Sequence, residues 1–261
     1  MNPKVNEIEP QNVSNKLNAF ERLLKTMEVL RTLCPWDQKQ DWRSLRPLTI
    51  EETYELAEAI IENDGIGVKE ELGDILLHIV FYAKIGEEED QFSIVEVIHT
   101  LCDKLEQRHP HIYGDVEVAD EEEVKRNWER LKMKEGKSSV LSGVPKGLPS
   151  IVKAYRMQQK TGQVGFEWTE KGDAWEKVKE EIEEFRSAST HAEKEEEFGD
   201  LLFSLINYAR YEKIDPDEAL SKTNAKFKAR FEFIELQATK PLEEMSLAEM
   251  DKLWDRAKEN L

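Results

Sequence analysis

The sequence predicts an all-α protein built from two tandem helical-bundle modules. Apolar residues recur at spacings of three and four residues over most of the chain, which is typical of amphipathic helices. Strand patterns are sparse, and the best of them, residues 164–168, is short and is interpreted as a loop. A motif of paired acids occurs twice, and 261 residues are enough for two domains of ordinary size.

Four regions are expected along the chain. Residues 1–16 are polar and are predicted to form a flexible N-terminus. The N-terminal module covers residues 17–135, a linker containing Gly, Ser and Pro covers 136–148, and the C-terminal module covers 149–261. Helical periodicity is found in ten segments: 17–33, 49–63, 69–86, 92–108, 121–135, 149–161, 173–188, 191–212, 216–238 and 246–259.

The two modules repeat one another. Residues 70–84 align with residues 196–210 without a gap and share Glu, Glu, Gly, Asp, one Leu, Tyr and Ala. A Lys/Arg pair and then a Trp/Lys pair follow each segment, so we interpret the chain as a duplicated module. These pairs are Lys104, Arg108, Trp128 and Lys132 in the first module and Lys226, Arg230, Trp254 and Lys258 in the second.

Each module carries acids three residues apart on two successive helices, in residues 51–55 with 70–74 and in residues 180–184 with 196–200. Residues i and i+3 share a helix face, so two such helices packed together would direct four carboxylates to one point. Converging negative charges repel one another unless a cation lies between them, and hard divalent cations such as Mg2+ take oxygen ligands. The sequence therefore predicts a metal site in each module.

The second acid helix of the C-terminal module carries a narrow polar stripe bordered by apolar residues. Its first two acids are expected to enter a partly buried cleft, where a charge is costly unless it is paired or metal-bound. A glycine inside a helix costs roughly 1 kcal/mol relative to alanine, so Gly73 and Gly199 predict the close approach of another segment. The stripe consists of Glu197, Asp200, Ser204, Asn207 and Tyr211.

Carboxylates combined with a Lys/Arg pair indicate a metal–polyphosphate complex. Mg2+ binds through few carboxylates plus substrate phosphates, while lysine and arginine hold the remaining phosphate oxygens. Lys226 and Arg230 are four residues apart, so both side chains can reach one phosphate chain.

Composition narrows the class of partner. The formal net charge is -18, which argues against a nucleic-acid duplex or an anionic membrane as the main partner. A small anionic substrate is still compatible, because bound metals and local bases reverse the field in a cleft. No apolar run approaches the roughly 20 residues of a membrane span. Cys34 and Cys102 lack metal-ligand spacing, and with no secretion signal they predict a reduced, cytoplasmic location.

These motifs in combination resemble the MazG family of nucleoside triphosphate pyrophosphohydrolases. The resemblance rests on EExxE followed by EExGD, on KLEQRHPHIY at residues 104–113 and on CPWD at residues 34–37, and it runs from about residue 17 to the C-terminus. It implies the all-α NTP pyrophosphatase fold and a homodimer with helices of both chains near the sites. It also implies the reaction NTP + H2O → NMP + PPi on ribo- and deoxyribonucleotides, with Mg2+ as cofactor and Mn2+ as a substitute.

The resemblance also implies residue roles. In the first module the metal ligands are Glu52, Glu55, Glu71 and Asp74; in the second module the catalytic acids and metal ligands are Glu181, Glu184, Glu197 and Asp200. Leu48 stands where the second module has Lys177, so the C-terminal site is expected to dominate. The implied nucleotide contacts are Lys177, Glu180, Glu193, Glu196, Lys226, Arg230, Trp254, Lys104 and Arg108.

The sequence leaves several alternatives open. A close alternative is the same chemistry on a narrower substrate, such as a deoxynucleotide, a damaged nucleotide or another nucleoside polyphosphate. A helical interaction module that binds metal only for stability explains the acids but not the basic and Trp/Lys sets. Phe166 and Trp168 are candidates either for stacking on a base or for packing in the core or at an interface.

Overall fold

The computed structural model describes residues 11–120, 123–124, 127–128 and 139–260. The described residues form ten α-helices and no strand, so the all-α prediction is confirmed. They divide into two compact units, one within residues 1–131 and one within residues 132–261. No helix in these ranges is long and apolar enough to cross a bilayer.

The N-terminal unit is organised around one pair of adjacent helices, α2 and α3, with α1 packed on α3. Its buried core contains Met27, Leu45, Val80, Phe81 and Ile85. The helices are α1 (Val13–Leu33), α2 (Trp42–Glu62), α3 (Gly65–Glu88), α4 (Ile94–Arg108) and the single turn α5 (Pro110–Tyr113).

Two of the predicted boundaries in this unit were wrong. Residues 13–16 belong to α1 rather than to a flexible terminus. Helix α2 begins at Trp42 instead of residue 49, because the Asp41 side chain accepts hydrogen bonds from the N–H groups of Arg43 and Ser44 at 2.9 and 2.7 Å. The predicted helix 121–135 lies largely outside the described residues, although Trp128 is described and helical.

The C-terminal unit repeats this plan. Helices α7 and α8 form its most extensive pair, α6 packs on α8, and α9 contacts both α6 and α10. Residues 164–168 form a loop, as predicted, and Val140–Gly143, within the predicted linker, form a 3-10 turn that contacts α6. The helices are α6 (Ser150–Gly162), α7 (Lys171–Ser187), α8 (His191–Tyr211), α9 (Pro216–Gln237) and α10 (Leu247–Asn260).

A capping box fixes the start of α8, the helix that carries two of the predicted ligands. The Thr190 Oγ1 accepts a hydrogen bond from the N–H of Glu193 at 3.2 Å, and the Glu193 carboxylate accepts one from the N–H of Thr190 at 2.9 Å. Thr190→Ala is therefore expected to lower the free energy of unfolding by about 1 kcal/mol in urea denaturation. Thr190→Ser keeps the acceptor and should retain the stability. Equal losses in both variants would contradict a capping role.

Candidate active site

Three of the four acids predicted in each module lie together. In the C-terminal unit, carboxylate oxygens of Glu181 and Glu184 on α7 and of Glu197 on α8 are all within 4.8 Å of one another. The N-terminal unit has the same arrangement, with Glu52 and Glu55 on α2 and Glu71 on α3. The i, i+3 spacing places two acids on one helix face, and the packed second helix supplies the third.

The C-terminal cluster combines burial with repulsion. Glu181 is 5% exposed, Glu197 is half-buried and Glu184 is exposed. Desolvation raises the pKa of Glu184 and of Glu197, and neighbouring carboxylates raise it further. The folded chain therefore holds these charges close together at a cost.

The N-terminal cluster shows the same electrostatic pattern. The pKa values of Glu52, Glu55 and Glu71 are raised, first by desolvation and then by the surrounding carboxylates. A hydrogen bond between the carboxyl groups of Glu71 and Glu52 adds to the rise at Glu71. The Glu71 Oε2 atom is buried and has no hydrogen-bond partner in the described ranges.

The fourth acid of each set lies beside its cluster rather than in it. Asp74 and Asp200 are exposed, and neither belongs to the group of oxygens within 4.8 Å. Their charges nevertheless contribute to the raised pKa values of Glu52 and Glu197, respectively. Both aspartates are thus near the clusters, and their role as ligands stays a prediction.

The donor set fits a hard divalent cation. Every member is a carboxylate oxygen, which Mg2+ and Mn2+ accept as ligands. The buried Glu71 Oε2 accepts no hydrogen bond from any described residue. A cation between the carboxylates would attract each of them and so offset their mutual repulsion. The residues of both clusters therefore suit the metal that the resemblance implies.

Lys177 distinguishes the two clusters. It lies one turn before Glu181, and its Nζ is 2.9 Å from the Glu181 carboxylate and 2.7 Å from that of Glu180. These two contacts raise the pKa of Lys177 above its usual range. At the corresponding place in the N-terminal unit, Leu48 packs against the hydrophobic core. Only the C-terminal cluster therefore has a lysine of its own helix that offsets its charge.

The basic and aromatic positions are paired in the same way in both units. The Arg230 guanidinium lies over the Trp254 ring at 5.6 Å, and Arg108 lies over Trp128 at 5.6 Å. Lys226 and Lys104 are exposed. Among the described residues, no ion pair joins Lys226 or Arg230 to the acids of the cluster. The repeat thus extends to contacts between side chains, while Lys226 and Arg230 are not paired with the C-terminal cluster in the described part of the chain.

The remaining predicted nucleotide contacts are acids around the cluster. Glu193 caps α8, and hydrogen bonds from the backbone N–H groups of Thr190 and Ser189 lower the pKa of Glu193. Glu180 is exposed and pairs with Lys177, and Glu196 is exposed. Glu193 therefore has a structural role. Contact of these three acids with a nucleotide stays a prediction.

The predicted close approach at the two helical glycines is wrong for a single chain. A Cβ atom at Gly73 or Gly199 would meet nothing within 4 Å among the described residues. Both glycines lie on exposed helix faces, so packing against the described segments does not require them. Of the two acids expected in a cleft, Glu197 is half-buried and Asp200 is exposed.

Sequence reasoning missed a buried polar residue on α6. Gln158 is 6% exposed, and its Nε2 donates a hydrogen bond to the backbone carbonyl of Phe203 at 2.7 Å. A glutamine in an amphipathic helix suggests the solvent-exposed face, so the pattern gave no signal for its burial.

The raised pKa of Glu197 predicts how stability depends on pH. Its usual value is 4.5, so below pH 4.5 the group is protonated in the folded and unfolded chain alike. As pH rises through the raised folded value, the folded state loses stability relative to the unfolded state. Without metal, the Glu197→Gln variant should therefore have a higher melting temperature than the wild type at pH 7. At pH 4 the two melting temperatures should be equal. Thermal melting followed by circular dichroism in EDTA tests this, with Glu195→Gln on the same helix as the control. A difference that does not vary with pH would contradict it.

Comparison with known proteins identifies the class. Residues 40–113 match the family model described as the MazG nucleotide pyrophosphohydrolase domain, which indicates a hydrolase acting on acid anhydrides. A Thermotoga maritima protein named nucleoside triphosphate pyrophosphohydrolase/pyrophosphatase MazG is 42% identical over 247 residues, covering 92% of this chain and 95% of that protein. An Escherichia coli K12 protein named nucleoside triphosphate pyrophosphohydrolase is 37% identical over 257 residues, covering 93% and 98%. The chain belongs to the MazG family.

Proposed function

We propose that this protein hydrolyses ribo- and deoxyribonucleoside triphosphates to nucleoside monophosphate and pyrophosphate. The reaction depends on Mg2+, with Mn2+ as a substitute, and the C-terminal site dominates. The observation that carries the proposal is the carboxylate cluster found in both units of a MazG-family chain. Relatives that align along almost their whole length carry the name of this activity.

The acids and bases have separate tasks in this reaction. Glu181, Glu184 and Glu197, with Asp200 beside them, would hold the cation. When bound, the cation acts as a Lewis acid on phosphoryl oxygens and makes a neighbouring water more acidic. Lys226 and Arg230 would bind phosphate oxygens, the arginine through its planar pair of donors. Trp254 is a seventh predicted position; its ring lies beneath the Arg230 guanidinium and would orient it.

Dominance of the C-terminal site follows from Lys177. Its ammonium group lies beside Glu180 and Glu181, so it adds positive charge where an anionic substrate would approach. Leu48 cannot supply that charge in the N-terminal unit. The N-terminal acids would still bind metal, and binding to the folded state alone would stabilise the protein.

We also propose that the active species is a homodimer. The second acid helix of each unit, α3 or α8, exposes apolar side chains at i, i+4 and i+7 spacing, and contiguous apolar surface of this kind marks an interface. A second copy packed on this surface would also give Gly73 and Gly199 the close neighbour that they lack within one chain. The exposed apolar residues are Leu72, Leu76 and Ile79 on α3 and Phe198, Leu202 and Leu205 on α8.

A panel of ribo- and deoxyribonucleoside triphosphates, incubated with Mg2+ or EDTA, tests the proposal. Products are resolved as monophosphate plus pyrophosphate or as diphosphate plus phosphate. The expected result is the first pair from all substrates, with turnover abolished by EDTA. Release of phosphate instead would refute cleavage between the α and β phosphates.

The same panel separates the alternatives. Turnover of only deoxyribonucleotides or of a damaged nucleotide would establish the narrower substrate range. A rise in melting temperature with Mg2+ and no turnover of any nucleotide would identify a metal-stabilised interaction module. The cytoplasmic location expected from cysteine usage stays a prediction; both Cys34 and Cys102 are free thiols.

A further inference from the structure

A cavity of about 430 Å³ borders the polar stripe of the C-terminal unit, beyond the acid cluster. It is formed by α6, the loop of residues 163–168 and α8. Its surface is mainly apolar and includes three aromatic side chains, those of Phe166, Trp168 and Phe203. Such a cavity, with few polar groups, is the usual form of a small-molecule site.

The cavity lies on the same helix face as the acids. Asn207 lines it and follows Asp200 by seven residues, which is about two helical turns. Two turns return the side chain to the same face, roughly 10 Å further along the axis. In a nucleotide the ribose bridges a gap of this kind between the phosphates and the base. A ligand with its phosphates at the acid cluster can therefore place its base at the cavity.

Gln158 lines the cavity, and its amide oxygen is buried rather than exposed to it. Its Nε2 donates to the carbonyl oxygen of Phe203, which can only accept, so the orientation of the amide is fixed. The Oε1 atom is buried and has no hydrogen-bond partner among the described residues. The Gln158 side chain is therefore held by α8 and shapes the cavity wall, but its oxygen offers no accessible acceptor to a ligand.

Asn207 contributes a hydrogen-bond donor to the cavity. Its Oδ1 accepts a hydrogen bond from Arg210 Nε at 3.3 Å, which leaves the amide N–H groups available. The Arg210 charge is paired with Glu167 at 2.7 Å, so these two lining residues offset each other's charge. Aromatic faces with one amide donor, and no unpaired charge, match a nucleobase, which has a π face and acceptor groups on its edge.

The N-terminal unit differs at the corresponding place. In the alignment of residues 70–84 with 196–210, Phe81 occupies the position of Asn207. Phe81 is 2% exposed and is part of the buried core with Met27 and Leu45. A core side chain therefore replaces the amide that borders the cavity in the C-terminal unit.

Resting on the function proposed above, we propose that this cavity binds the nucleobase of the substrate. Trp168 stacks on the base, and Asn207 donates a hydrogen bond to its edge. The described part of the N-terminal unit has no such site beside its cluster, so nucleoside recognition belongs to the C-terminal unit.

Isothermal titration calorimetry of the full chain in Mg2+ tests this assignment. The probes are the α,β-methylene analogue of ATP, whose P–C–P bridge resists hydrolysis, and inorganic pyrophosphate, which has no base. Trp168→Ala should weaken the analogue about tenfold or more, the loss expected for one base–aromatic stack, and leave pyrophosphate affinity unchanged. Trp168→Phe should recover most of the affinity. Asn207→Phe, which introduces the residue of the N-terminal unit, should weaken the analogue selectively as well.

Trp36→Ala is the matched control. Trp36 is an exposed tryptophan in the loop between α1 and α2, the counterpart of the loop that carries Trp168. Its removal should change neither affinity. Unchanged analogue affinity in both Trp168→Ala and Asn207→Phe, or equal weakening of both probes, would overturn the base site. A wild-type protein that binds pyrophosphate but not the analogue would do the same, whereas one that binds neither probe would overturn the proposed function as well.

Discussion

Glu181→Gln combined with Glu184→Gln is expected to abolish hydrolysis of nucleoside triphosphates in a protein that stays folded. Glutamine keeps the size of each side chain but removes two of the three clustered charges. Groups that merely orient metal ligands contribute 10–100-fold to affinity or activity, so loss of two ligands should lower kcat/KM by about a hundredfold or more. Formation of monophosphate and pyrophosphate at saturating Mg2+ measures the loss. Circular dichroism verifies the fold.

Two controls make this result specific. Glu183→Gln removes an exposed charge from the same helix, where it pairs with Arg186 at 3.0 Å, and should leave turnover intact. Glu52→Gln with Glu55→Gln removes the matching charges of the N-terminal cluster and should leave most of the activity. Full activity after the C-terminal change would refute the assignment, and loss only after the N-terminal change would reverse the order of the two sites.

Lys226→Ala combined with Arg230→Ala should chiefly weaken substrate binding. Each side chain is expected to make a charge-assisted hydrogen bond to phosphate, worth about 1.5–3 kcal/mol. Losing even one of these bonds should raise KM about tenfold or more, and the double variant loses both. Arg230 also lies over Trp254, and Arg230→Lys keeps the charge but loses the planar contact. Initial rates against nucleotide concentration distinguish KM from kcat. Wild-type KM in the double variant would remove both residues from the site.

A mixed dimer tests whether acids and bases come from different chains. Among the described residues, no ion pair connects these bases to the cluster within one chain. If the partner chain supplies them, a dimer of the Glu181/Glu184 variant with the Lys226/Arg230 variant contains one intact set and should regain turnover. Turnover is compared at a nucleotide concentration below the raised KM of the Lys226/Arg230 variant. A mixed dimer with no more turnover than the two parent variants would show that each site is built from one chain.

Much of this site could be predicted because it depends on local periodicity. The i, i+3 spacing of Glu181 and Glu184 fixes one helix face, and the short connection to α8 allows Glu197 to pack beside it. The duplication added support, because the same spacing appears at Glu52 and Glu55. Local rules of this kind hold whether or not the rest of the fold is known.

Features that depend on distant packing could not be predicted. The burial of Gln158 arises from contact between α6 and α8, helices separated in sequence by α7. The empty space around Gly73 and Gly199 likewise depends on which segments pack there, and intrinsic helix preference does not reveal it. The start of α2 was missed for a local reason, since the cap at Asp41 precedes the periodic segment.

Phe81 makes the divergence of the two copies difficult to reverse. Because its ring is part of the core, exchanging it for a smaller polar side chain would leave a void, and truncating a buried phenylalanine costs about 3–5 kcal/mol. That is a large share of the stability of an ordinary domain. This loss of stability would come before any gain in nucleobase binding by the N-terminal copy. The replacement of the polar residue by Phe81 is therefore difficult to reverse during evolution.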